Sequence, residues 1–198
     1  DSEISQFNQL RTVNQAMPIS QDFAYVTGEA LRLNKLTHGA LDVTVGPLVN
    51  LWGFGPQKEI THEPTAQEIQ HASEMVGTDK LKLSQDGQQP TLAKTYPEVY
   101  LDLSSIAKGF GVDKTAAELE KLNIGNYLVE IGGELHGKGH NAQGNPWRIG
   151  IEQPNIVQGG ATQITIPLDN KSLATSGDYR IFHVDKSGRR LSHIINPK

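Results

Sequence analysis

The sequence predicts an α+β domain, with helices packed on a mostly antiparallel sheet, and three observations carry that expectation. Helical periodicity is confined to the stretch before Gly125, and strand-like runs crowd the stretch after it. Neither a βαβ alternation nor a G-x-G-x-x-G fingerprint occurs, which disfavours a doubly wound dinucleotide fold. With 198 residues, 36% hydrophobic and 20% charged, the chain is long enough to bury a core and is read as one domain over residues 1–198.

The elements follow in order. Asp1 to Ser5 reads as the capped start of a short helix. From Ser20 to His38, Phe23, Val26, Ala30 and Leu33 recur at helical spacing, with Ser20 as N-cap and Gly39 as the stop. Ala40 to Val45 alternates polar and apolar residues and is β-branched, so it is expected as a strand ended by Gly46 and Pro47, with Asp42 and Thr44 on one face. Leu48 to Pro56 is apolar but broken by glycines, which suits a packed loop or a short helical turn. Thr65 and Glu68 form a capping box that opens a helix running to about Met75.

Short strands are expected at Leu81 to Leu83, Thr91 to Leu92 and Val99 to Leu103, with Asp86 and Gly87 as a hairpin signal. A central helix from Ile106 carries the stripe Val112, Ala116, Leu119 and Leu122 and stops at Asn123 to Gly125. Strands are then expected at 127–131, 147–151, 163–166, 180–184 and 190–195, the last two joined as a hairpin through 186–188.

Composition narrows the function. A net charge of −4 without a basic stripe argues against nucleic acid as a partner. No run reaches the roughly 18 apolar residues that a membrane-spanning helix needs. There are no cysteines, so any metal must be held by oxygen or imidazole. His136 and His140 are spaced i, i+4, but the glycines between them oppose the helix that would aim both at one ion. Both ends read as cut, and the chain is expected to be a segment of something longer.

Four polar clusters can carry chemistry: Asp42 with Thr44; Asp102 to Lys108; Gly132 to Glu134; and Thr175 to Arg180 followed by His193. In the second, small residues lead into a helix whose first N–H groups lack internal partners, and Lys108 adds a full positive charge, which together suit an anionic ligand. Each cluster also has a purely structural reading: Ser104 or Ser105 as a helix cap, Gly132 and Gly133 as a bulge or turn, Ser176 to Asp178 as a turn, and His193 as a packing residue.

Taken together, the runs Gly39 to Gly55, Leu101 to Gly109, Val129 to Gly133, Leu173 to Arg180 and Leu191 to Pro197 resemble the ApbE family of FAD:protein FMN transferases, formerly called thiamine-biosynthesis lipoproteins. The resemblance implies a T-fold-like α+β architecture and a periplasmic protein, anchored by a lipid to the inner membrane in its full-length form. It implies binding of FAD, cleavage of its pyrophosphate, and transfer of FMN to a Thr or Ser hydroxyl of a target such as a membrane redox-pump subunit. It places Ala40, Leu41 and Asp42 at the flavin nucleotide, Asp102 and Lys108 beside the FAD, and Ile195 along the ligand. Ser105 would contribute to a Mg²⁺ site, and His193 stands where the family keeps its proposed catalytic histidine. The family's flavin-side Met and Tyr lie upstream of Asp1, and its remaining metal ligands lie downstream of Lys198.

The residue types agree with this chemistry. Attack on phosphorus develops charge on oxygens, which helix N–H groups and a hard cation answer. The attacking hydroxyl must lose its proton, and an unperturbed imidazole, with a pKa of about 6.5, can take it. Two rival readings use the same residues: a Mg²⁺-dependent FAD pyrophosphatase, with water as nucleophile, and a flavin-binding module without turnover.

Overall fold

A computed structural model describes residues 2–55, 62–154, 162–178, 181–185 and 187–198. Contacts group the chain into two compact units, Asp1–Ser105 with His183–Lys198, and Ile106–Phe182.

The first unit opens with α1 (Glu3–Gln9), capped by the Ser2 hydroxyl on Ser5 N–H and anchored by the fully buried Phe7. Strand β1 (Met17–Pro18) leads into α2 (Gln21–Leu36), where Ser20 Oγ accepts from Phe23 N–H at 3.1 Å. The buried stripe of α2 is Phe23, Ala24, Val26, Thr27 and Ala30. The helix is stopped by left-handed backbone at His38 (φ 52°) and Gly39 (φ 83°). Glu3 accepts from both the N–H and the hydroxyl of Ser20 at 2.6 Å, tying the start of α2 to α1.

Ala40 to Val45 is not a strand. The Asp42 carboxylate captures Thr44 N–H at 2.8 Å and closes the backbone into a turn, overriding the β-propensity of the β-branched residues. Gly46 and Pro47 begin an element instead of ending one: α3 (Gly46–Leu51) has its proline in the first turn, where the missing N–H costs nothing. Helix α4 (Ala66–Glu74) has both halves of the expected capping box, Glu68 N–H to Thr65 Oγ1 at 3.2 Å and Thr65 N–H to Glu68 Oε2 at 2.8 Å. Strands β2 (Leu81–Ser84) and β3 (Thr91–Lys94) pair antiparallel, with Leu81 opposite Lys94, and β1 pairs on the other side of β3.

Val99 to Leu103 also departs from expectation. It forms no ladder, because side chains satisfy its backbone: Leu101 N–H and C=O both bond the Asn8 amide at 2.8 Å, and Val99 C=O accepts from Lys94 Nζ at 2.9 Å. Later in the chain, β9 (Phe182–Val184) pairs with β10 (Arg190–Ser192) as expected. The last strand is shorter than its apolar run, since Ser192 Oγ accepts Ile194 N–H at 3.2 Å and turns the chain.

In the second unit, α5 (Ala107–Lys121) packs Val112 and Ala116, with Leu119, onto Tyr127 and Val129 of β4 (Tyr127–Ile131). Leu122 does not join this stripe: it is the C-cap and 70% exposed, and the chain turns directly after it at Asn123 (φ 60°). Gly132 (φ 56°) and Gly133 (φ 93°) form a two-residue turn into β5 (Glu134–Lys138), the left-handed pair that a tight hairpin requires. Strand β5 also pairs with β8 (Lys171–Leu173), while β6 (Trp147–Glu152) and β7 (Thr162–Leu168) form a separate ribbon. Strands β5 and β8 had no expectation behind them. Gly137 weakens the propensity of β5, yet it is needed there, since a Cβ would lie 2.9 Å from Leu168.

Candidate functional site

The first unit builds the Asp42 loop from α2. Asn34, near the end of that helix, donates to Leu41 C=O at 2.7 Å and to Asp42 Oδ2 at 3.4 Å, and accepts from the Thr78 hydroxyl at 2.9 Å. The carboxylate of Asp42 is further held by the Thr44 hydroxyl at 2.5 Å, and that buried hydroxyl accepts Gly77 N–H at 2.7 Å. Ala40 is exposed, and Leu41 and Asp42 are half-buried.

Asp102 stands directly beside this loop, its N–H donating to Val43 C=O at 2.7 Å. The fold thus brings the Asp42 and Asp102 segments together across 60 residues of sequence. Asp102 Oδ1 accepts Ser104 N–H at 2.8 Å in a local turn. Asp102 and Ser104 line a cleft of about 590 Å³, within the range of small-molecule sites, walled by α1, the start of α3, Phe54 and Tyr100. The Tyr100 ring lies so close on Gly46 that any Cβ there would overlap it, so the glycine lets the aromatic wall seat against α3. Asp42 does not line this cleft.

Phe54 connects the cleft wall to two imidazoles. His183 stacks on it with centroids 4.5 Å apart, and His193 meets it edge-on at 6.4 Å. His183 Nε2 lies 3.4 Å from Gly53 C=O, and since a carbonyl only accepts, that nitrogen carries the proton. His193 is half-buried. Ile195 packs against the buried group Leu48, Ala72 and Val76.

Ser104 and Ser105 are exposed, and neither caps α5, which begins after Ile106 with no side-chain cap bond. Its first turn holds no acidic residue of its own. Within the second unit, Lys108 Nζ is fixed by Glu134 Oε1 at 2.9 Å and by Gly132 C=O at 3.2 Å, joining the helix start to the glycine turn. Glu134 Oε2 is buried without a hydrogen-bond partner. A Cβ at Gly133 would lie 3.9 Å from Thr175 Oγ1, while Tyr179 and Arg180 of the same run lie outside the described residues.

Among the described residues, no cluster of three His, Cys, Asp or Glu side chains is placed to hold a metal. Ser105 brings only neutral oxygens, and Mg²⁺ favours carboxylates in near-octahedral order, so these residues do not by themselves fit a magnesium site. Calorimetric titration of the chain with MgCl₂ in the absence of FAD is expected to show no tight binding. A steep, saturating isotherm would contradict this.

Sequence reasoning did not find Asn8, Asn34, Phe54 or His183. Asn34 sits in the last turn of α2 with no local signal, and the other three act through partners remote in sequence.

A sequence model of the ApbE family matches residues 1–198. The chain is 53% identical over 198 residues to a Haemophilus influenzae protein named FAD:protein FMN transferase, covering 100% of the chain and 57% of that relative. Among solved structures it is similar to the flavin transferase ApbE from Vibrio cholerae, with 48% identity, a TM-score of 0.84, and coverage of 100% of the chain and 60% of the other. It is likewise similar to the apo form of the flavinyl transferase ApbE from Pseudomonas stutzeri, with 37% identity, a TM-score of 0.82, and coverage of 100% and 58%. The chain therefore spans somewhat over half the length of the relatives it matches.

Proposed function

The chain belongs to the ApbE family, and from that membership we propose that its site serves the transfer of FMN from FAD to a Thr or Ser hydroxyl of a target protein. The observation that carries the proposal is the family match over all 198 residues, since a fold alone does not specify a chemistry. In the proposed step the acceptor oxygen forms a bond to the FMN-side phosphorus, the bridging P–O bond of the pyrophosphate breaks, and AMP leaves. The hydroxyl proton passes to His193.

The chain's own residues divide the remaining work. The Asp42 loop, braced by Asn34, and the adjoining Asp102 segment hold the nucleotide. Lys108, fixed by Glu134 and Gly132, presents positive charge at the start of α5. Ile195 keeps its position against α3 and α4, next in the chain to the His193 loop. A redox-pump subunit as target and a lipid-anchored periplasmic setting complete the proposal on the strength of the resemblance, whereas a magnesium ion at Ser105 would need ligands beyond those this chain brings together among the described residues.

The test is to incubate the chain with FAD, Mg²⁺ and a redox-pump subunit bearing an acceptor threonine, then to weigh the subunit and assay AMP. A mass gain of one FMN moiety with matching AMP supports transfer. FMN and AMP released without labelling point to a pyrophosphatase, and FAD bound but intact points to a binding module. Either result overturns the proposal.

A further inference from the structure

We infer that Asn8 is a positioning residue that sets Asp102 for the flavin nucleotide, an inference that rests on the FAD-binding reading above. The peptide unit joining Leu101 to Asp102 is held at both ends. Its carbonyl accepts from Asn8 Nδ2 at 2.8 Å, and its N–H donates to Val43 C=O at 2.7 Å. Asn8 Oδ1 also takes Leu101 N–H at 2.8 Å, so one side-chain amide engages both polar groups of Leu101 as a neighbouring strand would.

The segment has no ladder to do this instead, and a further side-chain anchor, Lys94 on Val99 C=O, lies two residues back. With the peptide plane fixed, the direction in which the Asp102 side chain leaves the backbone is fixed as well. Both Asn8 and Asp102 line the same cleft, so the pin stands at the place where a ligand would meet the carboxylate. Helix α1 is itself locked by Phe7 in the core and by Glu3 on Ser20, so Asn8 is presented from a rigid element.

A residue that only held α1 to the core would act on the fold as a whole, and two measurements separate that role from positioning. The first is FAD affinity, by quenching of flavin fluorescence, for the unaltered chain, Asn8→Ala, Asn8→Asp, Asp102→Ala and the double variant Asn8→Ala with Asp102→Ala. Loss of two hydrogen bonds predicts about a tenfold or greater weakening in Asn8→Ala. Asn8→Asp keeps the size of the side chain but cannot donate to Leu101 C=O, and should resemble Asn8→Ala. The double variant should bind no more than about twofold worse than Asp102→Ala alone, because both changes remove one unit. Effects that multiply would overturn the inference.

The second measurement is amide hydrogen exchange. In Asn8→Ala the Leu101 and Asp102 amides should lose protection while those of Ala24 to Ala30 in α2 keep theirs. Protection retained at both positions overturns the inference whatever FAD does. If the unaltered chain fails to bind FAD, the proposed function falls, and the exchange result still decides whether Asn8 pins the segment.

Discussion

In a flavinylation assay, His193→Ala is expected to lower the transfer rate by about two to four orders of magnitude while leaving FAD affinity nearly unchanged. The imidazole follows β10 on a bend, meets the Phe54 ring edge-on and is only half-buried, so its removal opens no fully buried cavity. A packing role predicts the opposite pattern: stability, FAD affinity and rate falling together, as core truncations generally behave. Flavin fluorescence and target mass on the same variant separate the two. A transfer rate that does not change across neutral pH would remove His193 from proton transfer.

A second large effect is expected in stability, at Lys94. This side chain is 1% exposed, with its Nζ on one carbonyl and 4.8 Å from the centre of the Phe7 ring. Burial foremost, and then the charge of Arg11, push its pKa down to about 8, against a smaller opposing pull from Glu98. The folded state therefore holds fewer protons than the unfolded chain between about pH 8 and the ordinary lysine value. Linkage then makes stability rise with pH across that window, by on the order of 3 kcal/mol for a shift of this size. Below pH 8 the cost of the buried charge is present in full. Urea denaturation from pH 7 to 10 should show the rise, and Lys94→Met should abolish it and be the more stable protein at pH 7. Equal slopes in the two proteins would refute the assignment. The range stops at pH 10 because Tyr127, pushed up to about 12 by burial and by its bond to Glu120, loses stability as pH rises above the ordinary tyrosine value.

Much of this fold is legible where the determinants are local. The Ser20 cap, the Thr65 and Glu68 capping box and the Asp86–Gly87 hairpin signal each specify their element through atoms a few residues apart, and each is found in the structure. Reading fails where a side chain replaces a backbone partner. Ala40 to Val45 looks like a strand until the Asp42 carboxylate takes Thr44 N–H, and Val99 to Leu103 looks like one until the Asn8 amide, 93 residues away, occupies its bonding edge. The β-propensity in both runs is real, but it records how side chains pack on a partly buried surface, which an irregular segment supplies as well as a sheet does. At the candidate site, the residue types at Asp42, Asp102, Lys108 and His193 stand out in the sequence. The amides and the aromatic ring beside them, Asn34, Asn8 and Phe54, have no local signature to read.

The discontinuity of the first unit has a consequence for biosynthesis. The chain leaves the ribosome from its N-terminus, so the Asp42 loop, the cleft and Asp102 are all made before Ile106–Phe182 is translated, while His183, β10 and His193 come only afterwards. The nascent first unit must wait for its last segment, His183–Lys198, with Phe54 lacking both imidazoles and the Leu48 group lacking Ile195. Waiting is entropically tolerable, because each doubling of an intervening loop adds only about 0.6 kcal/mol to its closure. On the proposed function, a translation product arrested before His183 would carry the segments proposed to hold the nucleotide without the histidine proposed to take the proton.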